Sequence, residues 1–479
     1  MDSASEDASF GIAMDRHTNL VTDIATQIRG FHQRREQFRI YHGSTNSTRG
    51  SERRRSQVVD TSGLAAILNI DRQKRTALVE PNVSMAALVD MTLAEGLLPP
   101  VVMEFPAITV GGGFAGSAFE SSSFRYGPFD KTVERIEIVL ADGEIVNASA
   151  TERQDLFHGA AGSLGTLGVI TLLELSLIDA APYVELTYSA VSGVAQAVQE
   201  IEKATQDANV DFVDGILFGL DCGVVVSGHL INNVPVDLHC QRYTRARDPW
   251  FYTRAEEILG SGRRFTVECV PTKDYLFRYD RGAFWMGAHA FRYFVTPFNI
   301  EFPFAYVEDF VGFLDQALGL YPLWLCPLQH EGDLSLHPRF PLKRDTAKER
   351  GSMLLNVGAW GLGPTDHDRF VAVNQDIERK ARVLSGLKLL YAHTYYTEDE
   401  FWSIYDRSWY TALREKYNAT SLPSVYEKTR VHLSDGGERQ DHTWSSWMYS
   451  VLKEAWPLRG LYGVFHASRG SEYVLAKRA

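Results

Sequence analysis

The sequence predicts an α+β protein whose glycine-rich first part is followed by an aromatic-rich second part. The glycine clusters lie before residue 170, whereas all nine tryptophans lie after residue 249. Helical spacing and short alternating strands occur in both parts, and 479 residues suffice for two or three domains. We therefore predict a first domain over residues 1–182, a second over 183–432 and a divergent C-terminal tail over 433–479.

The first domain contains elements with clear local signals. Apolar residues three or four apart predict an amphipathic helix over Leu20–Phe31. Two strands are expected around a polar turn at Asp71–Lys74, and Ser84 can N-cap a helix that ends before Gly96. The dipeptide Asp142-Gly143 predicts the turn of an antiparallel hairpin.

In the second domain, mixed strands and helices are expected up to residue 432. The stretches PWFYTRAEEIL and EDEFWSIYDRSWYTALREKY predict helices. The tail is expected to begin as a polar linker and to end in an aromatic helix or cap. The concentration of aromatic residues indicates a domain that buries or binds apolar groups.

Composition and charge exclude several classes of function. The net charge of −12 and the absence of a basic stripe argue against a nucleic-acid partner. No apolar run approaches the roughly 18 residues of a membrane span, and the acidic, polar N-terminus resembles neither a signal peptide nor a transit peptide. Four scattered cysteines give no metal-site spacing and suit a reducing compartment. We expect a protein in the cytoplasm or peripheral to an intracellular membrane, without a metal, and leave a homo-oligomer open.

The stretch TVGGGFAGSAFESSSFRYG carries a dinucleotide-binding pattern in the wrong context. Gly111, Gly113 and Gly116 spell G-x-G-x-x-G, which in a Rossmann fold precedes a long helix and a parallel strand. Here Pro128 leaves room for only a short helix, and an antiparallel hairpin follows. The pattern therefore does not predict a Rossmann nucleotide site.

Three small-residue loops within about 170 residues favour a long cofactor that lies across the first domain. Glycine lets backbone N–H groups approach a phosphate or a flat ring closely. A nucleotide bound at one turn needs only one such loop, and three ordinary turns are the competing explanation. The loops are Gly43–Thr48, Gly111–Gly116 with the serines after it, and Gly162–Gly168.

These loops resemble the FAD-binding domain of the vanillyl-alcohol-oxidase superfamily. The segments YHGSTNSTRG, TVGGGFAG and GSLGTLGVIT occur in the order and spacing of that superfamily. Further blocks, among them FESSSFRYGPF, LYPLWLCPL and LLYAHTYYTEDEFW, resemble the 24-dehydrocholesterol reductase (Diminuto/Dwarf) family over about residues 30–432. The resemblance implies a PCMH-type FAD-binding domain of two subdomains, followed by an α+β substrate (cap) domain with an antiparallel sheet.

The resemblance also implies which residues contact FAD. Many superfamily members attach the flavin covalently through a histidine at the position that aligns with Asn46, and asparagine cannot form that bond. We therefore expect non-covalent FAD. The residues matched to the cofactor are His42, Gly43, Ser44, Thr45, Asn46, Ser47, Thr109, Val110, Gly111, Gly112, Gly113, Gly116, Ser121, Ser122, Ser123, Tyr126, Gly162, Gly165, Thr166, Gly168, Val169 and Ile170.

The activity implied by the resemblance is NADPH-dependent reduction of a C=C bond in an apolar substrate, through hydride transfer from flavin N5. A sterol-like, terpenoid or polyketide molecule of secondary metabolism is the expected substrate. The family's animal and plant enzymes carry an N-terminal membrane anchor that this sequence is expected to lack, which argues for a terpenoid or polyketide over a sterol. A flavin oxidase or dehydrogenase, a flavin-bearing isomerase or cyclase, and a cofactor-free binding protein are the alternatives. No sequence motif marks a nicotinamide site, so NADPH rests on the resemblance alone.

Four residues are candidates for the chemistry. Tyr391 and His393 are predicted to share a strand and to point to one face, where either could donate a proton. Glu120 is the ionisable group beside the glycine loop, and Arg281 could hold negative charge at the flavin or the substrate. An ordinary structural role is the competing explanation for each. Further positions matched to the family are Phe284, Trp285, Trp324, Cys326, Tyr410 and Arg414.

Overall fold

Two antiparallel sheets with helices around them form the described part of the molecule. The computed structural model describes residues 3–43, 57–286, 298–329, 353–361, 363–364 and 366–431. The predicted α+β class is confirmed. The predicted tail, 433–479, and the first loop beyond Gly43 as far as residue 56 lie outside the described residues.

The first sheet belongs to the glycine-rich part. Its five strands have the order β3-β4-β8-β6-β7 and are all antiparallel to their neighbours. Two short pairs accompany it: β1 and β2 are parallel, and β5 and β9 are antiparallel. The strands are β1 (Arg39–Tyr41), β2 (Val58–Asp60), β3 (Ile67–Asp71), β4 (Thr76–Val79), β5 (Leu97–Leu98), β6 (Val133–Leu140), β7 (Ile145–Ser149), β8 (Gly168–Ser176) and β9 (Ile178–Asp179).

The second sheet has eight antiparallel strands in the order β13-β10-β12-β11-β15-β16-β14-β17. Its central strands are buried, and β13 lies at one edge. The strands are β10 (Tyr183–Val191), β11 (Phe212–Leu217), β12 (Gly223–Ile231), β13 (Phe265–Pro271), β14 (Phe298–Pro303), β15 (Leu323–Gln329), β16 (Met353–Ala359) and β17 (Leu387–Lys388).

The helices connect and cover these sheets. A long N-terminal helix packs on the first sheet through its apolar stripe, and four helices of 10 to 17 residues pack against the second. The helices are Ser3–Arg34, Met85–Ala94, Val110–Gly116, Ser123–Tyr126, Gln154–Ala160, Val194–Thr205, Phe251–Gly260, Thr272–Leu276, Val307–Leu318, His367–Val383, Glu398–Ile404, Arg407–Lys416 and Val425–Thr429.

Strand alternation decides which side chains of the second sheet face the first domain. Successive side chains of a strand point to opposite faces. On β15, Leu323 and Leu325 belong to the core under the outer helices, whereas Trp324 and Cys326 belong to the core that continues into the first domain. On β11, Val213 likewise belongs to the core under the outer helices. Its neighbour Asp214 therefore points to the opposite face of the sheet, the face that carries Trp324 and Cys326. This face places a carboxylate, an indole and a thiol against the glycine-rich domain.

Several local predictions are confirmed. Ser84 caps helix Met85–Ala94 by accepting a hydrogen bond from the Ala87 N–H, and the hairpin at Asp142-Gly143 joins β6 to β7. The predicted helix over EDEFWSIYDRSWYTALREKY is instead two helices. The interruption lies at Asp406, whose side chain caps the second helix, Arg407–Lys416, by accepting a hydrogen bond from the Trp409 N–H.

The prediction that Tyr391 and His393 share a strand is wrong. Strand β17 ends at Lys388, and the two residues lie in the turn that follows. The buried Lys388 ammonium causes the turn, because it donates to the His393 carbonyl at 2.6 Å and pairs with Glu378 at 2.6 Å. The chain is thereby drawn back towards the helix that carries Glu378.

Candidate active site

The glycines of the second loop form a short helix, Val110–Gly116. Thr109 caps it by accepting from the Gly112 N–H at 3.1 Å, while the N–H groups of Val110 and Gly111 donate to the carbonyls of Val83 and Pro81. The first amide groups of this helix are therefore bonded within the protein. Glycine is required by close packing at position 113, where a Cβ would lie 2.3 Å from the Met103 methyl carbon.

The second and third loops lie directly against each other. The N–H groups of Gly162 and Leu164 donate to the carbonyls of Phe114 and Ala115 at 3.2 and 3.0 Å. Leu164 adopts a φ of 55°, a strained conformation for a branched side chain. Strain of this kind is concentrated at ligand-binding sites, so the junction of the two loops is a candidate cofactor contact.

The junction fits a polar ligand such as the cofactor implied by the loops. The buried Ser117 hydroxyl has no hydrogen-bond partner among the described residues. Beside it, a Cβ on Gly116 would meet no atom within 4 Å. A buried, unpaired hydroxyl next to open space is costly unless a ligand satisfies it. Ser117 and Gly116 would therefore hold part of a bound flavin nucleotide.

The last helices of the described chain fasten the third loop. The Tyr410 hydroxyl donates to the Thr166 hydroxyl at 2.8 Å and accepts from the Val425 N–H at 3.0 Å. The Lys428 ammonium donates to the Leu164 carbonyl at 2.8 Å. Residues more than 240 positions apart in sequence therefore hold the loop in its strained form.

The other predicted cofactor residues occupy the ends of strands and turns. His42 and Gly43 follow β1 directly, and Ser44 to Ser47 lie outside the described residues. Gly162 and Gly165 adopt left-handed turn conformations. Gly168, Val169 and Ile170 begin β8.

The segment Glu120–Tyr126 links the glycine helix to the second sheet. The Ser121 carbonyl accepts from the Val213 N–H of β11 at 2.8 Å, and Arg125 pairs with Asp211 at 3.0 Å. The three predicted serines bond within the protein: Ser121 to the Tyr275 hydroxyl, Ser122 to the Pro100 carbonyl and Ser123 to the Glu120 N–H. Tyr126 ends the short helix here and is half-buried.

A cluster of buried charge lies beside this joint. Arg278, of which 1% is exposed, donates to Asp214 at 2.8 Å and approaches the Glu120 carboxylate at 3.5 Å. The same Asp214 oxygen accepts from the Tyr279 hydroxyl at 2.7 Å and from the Trp324 indole at 3.1 Å. One cation and two carboxylates are thus removed from water in a mostly aromatic environment.

The cluster is incompletely paired. Glu120 Oε1, Asp214 Oδ1 and Arg278 Nε are buried without hydrogen-bond partners among the described residues. Burial raises the pKa of Glu120; Arg278 opposes this rise and Asp214 adds to it. Buried charges with unused hydrogen-bonding atoms are expensive in a scaffold and typical of a site that binds a further polar group.

Glu104 is a second carboxyl group at the same place. It follows a buried apolar run, Val101–Met103, and is itself half-buried. Burial raises its pKa to about 8, and the neighbouring Glu120 contributes to the rise while Arg278 opposes it. Burial is the main cause that raises the pKa of the Tyr391 phenol, and the charge of the nearby Glu104 raises it further. Burial therefore favours the protonated form of the Glu104 carboxyl.

Stacked aromatic rings wall the cluster. Phe284 lies between Tyr279 and Trp360, with ring centroids 4.2 and 4.3 Å apart, and Trp324 stacks on Phe119 of the first domain. Phe284 has a φ of 60°, so its backbone is strained where its ring is most enclosed. These rings exclude water and present flat apolar surfaces beside the carboxyl groups.

Only some of the predicted catalytic residues meet in this cluster. Glu120 belongs to it, and Tyr391 borders it beside Glu104. His393 is half-buried in the following turn, where its carbonyl binds Lys388. Arg281 points elsewhere: its guanidinium donates to the carbonyls of Tyr243, Ala246, Asp248 and Pro249.

Sequence reasoning missed Glu104, Asp214 and Arg278. Glu104 was detectable as the one acid in the apolar run VVMEFP, and Arg278 as a cation among aromatic residues in YLFRYD. Asp214 offered a weaker signal, an acid within an otherwise buried strand. Each signal becomes specific only when the fold brings the three segments together.

Comparisons with known proteins agree with this geometry. A family model described as an FAD binding domain matches residues 20–149, which include the glycine helix. The chain therefore carries an FAD-binding domain of the PCMH type. It is 28% identical over 455 residues to the Delta(24)-sterol reductase of Homo sapiens, a match that covers 86% of each chain.

Two plant proteins extend the comparison. The chain is 29% identical over 442 residues to the Delta(24)-sterol reductase of Arabidopsis thaliana, covering 79% of this chain and 77% of the plant protein. A match to cytokinin dehydrogenase 7 of Oryza sativa subsp. japonica is 31% identical over 134 residues, or 27% of this chain and 26% of that protein. In the described part of this oxidoreductase, no helix combines the length and apolarity of a membrane span.

Proposed function

We propose that this oxidoreductase reduces a C=C bond of an apolar, sterol-like molecule with electrons from NADPH. The observation that carries the proposal is the placement of the half-buried Glu104 beside the Glu120–Arg278–Asp214 cluster, between the FAD-binding part of the chain and the stacked aromatic rings. Matches to Delta(24)-sterol reductases over most of the chain support the same reaction class.

Reduction of an alkene needs a hydride at one carbon and a proton at the other. Bound FAD, once reduced by the nicotinamide, would supply the hydride. We assign the proton to the Glu104 carboxyl, because a carboxylic acid with a pKa of about 8 can donate at neutral pH. Tyr391, half-buried beside Glu104, would position this carboxyl or return the proton to it.

Arg278 and Glu120 would act on the bound cofactor or substrate without transferring the proton. The unpaired atoms of Glu120 and Asp214 can accept hydrogen bonds from N–H or O–H groups of a ligand, while Arg278 offsets part of the negative charge of the two acids. The rings of Phe284, Trp324 and Trp360 would exclude water from the reacting carbons. Arg281, bound to backbone carbonyls, would shape the neighbouring segment instead.

The flavin is proposed to be bound without a covalent bond, since Asn46 replaces the histidine that many members of the superfamily use. Acid precipitation of the purified protein should release all of its yellow colour into the supernatant. Colour that stays with the pellet after washing would contradict this part of the proposal.

The domain boundary and the location of the protein belong to the same proposal. The first domain would end near Pro182, immediately before β10 opens the second sheet. An apolar substrate partitions into lipid, which favours action at the periphery of an intracellular membrane or in the adjoining cytoplasm.

An anaerobic titration tests the proposed reaction. NADPH should bleach the flavin absorbance, and a Delta(24)-sterol added afterwards should restore it with formation of the saturated side chain. Bleaching by a substrate in the absence of NADPH would instead indicate an oxidase or dehydrogenase. No spectral response to either, with product formed in the presence of FAD, would indicate an isomerase or cyclase.

A further inference from the structure

Two cysteines outside the candidate active site lie directly opposite each other. Cys240 and Cys269 form a parallel bridge in which the Gln241 N–H donates to the Cys269 carbonyl at 2.7 Å and the Cys269 N–H donates to the His239 carbonyl at 3.2 Å. Both bonds fix residue 240 beside residue 269. Partners of this kind lie about 4.8 Å apart, within the range of about 4.4–6.8 Å that a disulfide spans.

The two thiols already interact. The Cys240 thiol contributes to the raised pKa of the Cys269 thiol, although burial is the largest cause, and both cysteines are reduced. Cys240 is half-buried on a segment that runs along the edge strand β13, whereas Cys269 is buried. A reagent in solution can therefore reach Cys240 first, and Cys269 is placed to attack it next.

We propose that Cys240 and Cys269 are a modification site that closes to a reversible disulfide and fastens the segment His239–Pro249 to β13. The chemistry is thiol–disulfide exchange with a small disulfide such as oxidised glutathione. The Cys240 thiolate attacks one sulfur of that molecule and releases one thiol. The Cys269 thiolate then attacks Cys240 Sγ and releases the second thiol, so two protein thiols are oxidised and one disulfide is reduced.

The fastened segment contacts residues next to the candidate active site. Tyr243 packs against Phe251, whose ring lies 5.1 Å from Tyr279 and 5.3 Å from the Arg278 guanidinium. The Asp274 carboxylate accepts a hydrogen bond from the Tyr243 N–H, and the Arg281 guanidinium donates to the Tyr243 carbonyl. A disulfide would add a covalent bond to these weaker contacts and would limit opening of the segment over Arg278.

The second step should be the slower one. Burial raises the pKa of Cys269 to about 11, so its thiolate is scarce at neutral pH. Disulfide closure is accordingly expected to accelerate about tenfold per pH unit between pH 7 and pH 9. The mixed disulfide between Cys240 and glutathione should accumulate first.

Oxidised glutathione with the full-length holoprotein tests the proposal. Intact mass should fall by the two hydrogens of one disulfide, non-reducing digestion should link the peptides of Cys240 and Cys269, and the thermal midpoint should rise by several degrees until dithiothreitol reverses it. The half-buried Cys240→Ser should abolish the link, and Cys222→Ser, a matched change at a half-buried cysteine, should keep it. Stable glutathione adducts at Cys240 without a link at pH 9, or links to Cys222 or Cys326 instead, would overturn the proposal.

Discussion

The charged cluster around Arg278 and the charged cluster around His17 are both buried, yet they are paired very differently. His17 on the N-terminal helix binds Glu80 at 3.0 Å and Glu137 at 3.1 Å, and each carboxylate has a further donor, the Ala66 N–H and the Thr171 hydroxyl. No buried side-chain polar atom of His17, Glu80 or Glu137 lacks a partner in the described chain. The cluster around Arg278 leaves three such atoms unpaired.

The difference separates a structural role from a binding role. A buried ion group whose hydrogen-bonding atoms are all used can only hold elements together, here the first helix and the first sheet. A buried ion group with atoms that form no hydrogen bond is destabilised by its loss of hydration, and a ligand that bonds to those atoms can offset this cost. Burial and charge alone would therefore have ranked both clusters equally as candidate sites, whereas pairing distinguishes them.

Replacing Arg278 should have the largest effect. Arg278→Met leaves Asp214 and Glu120 buried without their cation, so we expect turnover to fall at least about 100-fold and stability to fall by about 3–5 kcal/mol. Arg281→Met is the matched control, because that side chain binds backbone carbonyls at the edge of the site. Its turnover should stay within about threefold of wild type. Steady-state rates and thermal midpoints of both variants test the prediction, and equal losses of turnover would contradict it.

Glu104 should set the alkaline limit of the reaction. Because its pKa is about 8, the donating carboxyl is present below that pH and is lost as the pH rises through it. Turnover of the wild type should therefore decline above about pH 8. Glu104→Gln should lower turnover by about 10²–10³-fold and remove this decline. A variant that keeps the wild-type pH profile would exclude Glu104 as the donor.

The His17 cluster should affect stability alone. Burial opposes the charged form of His17, but Glu137 and Glu80 outweigh it and raise its pKa from 6.5 to about 9. The stabilisation is then complete below about pH 6.5 and is lost as the pH rises through 9. His17→Gln should cost on the order of 2–3 kcal/mol at pH 6 and much less at pH 10, as urea unfolding at the two pH values would measure. A loss that does not depend on pH would show that the charge of His17 is unimportant.

Local features of the fold could be predicted from the sequence because their causes are local. The Ser84 cap, the Asp142-Gly143 turn and the strand that begins after the third glycine loop each depend on a few neighbouring residues. The resemblance to a family supplied the class of cofactor and the overall architecture. The turn at Tyr391 was not predictable, because it depends on Lys388 binding Glu378 of another element.

The site could be predicted only in part, for the same reason. Glu120 was identified because it adjoins the glycine loop, but its partners Asp214 and Arg278 lie 94 and 158 positions away in sequence. Gly113 was predicted to let the backbone approach the cofactor, yet the group that lies close to its backbone is the Met103 side chain of the protein itself. Pattern alone does not distinguish a glycine that accommodates a ligand from one that accommodates a side chain.

The most direct test of the account compares Glu104→Gln with Glu80→Gln in one anaerobic single-turnover experiment. Each variant is reduced by NADPH and then mixed with a Delta(24)-sterol while the flavin absorbance is followed. We predict that Glu104→Gln is reduced normally and reoxidised at least about 100-fold more slowly than wild type, whereas Glu80→Gln is less stable but normal in both steps. Reoxidation of Glu104→Gln at the wild-type rate would contradict the assignment of the unpaired cluster and its neighbouring acid as the catalytic site.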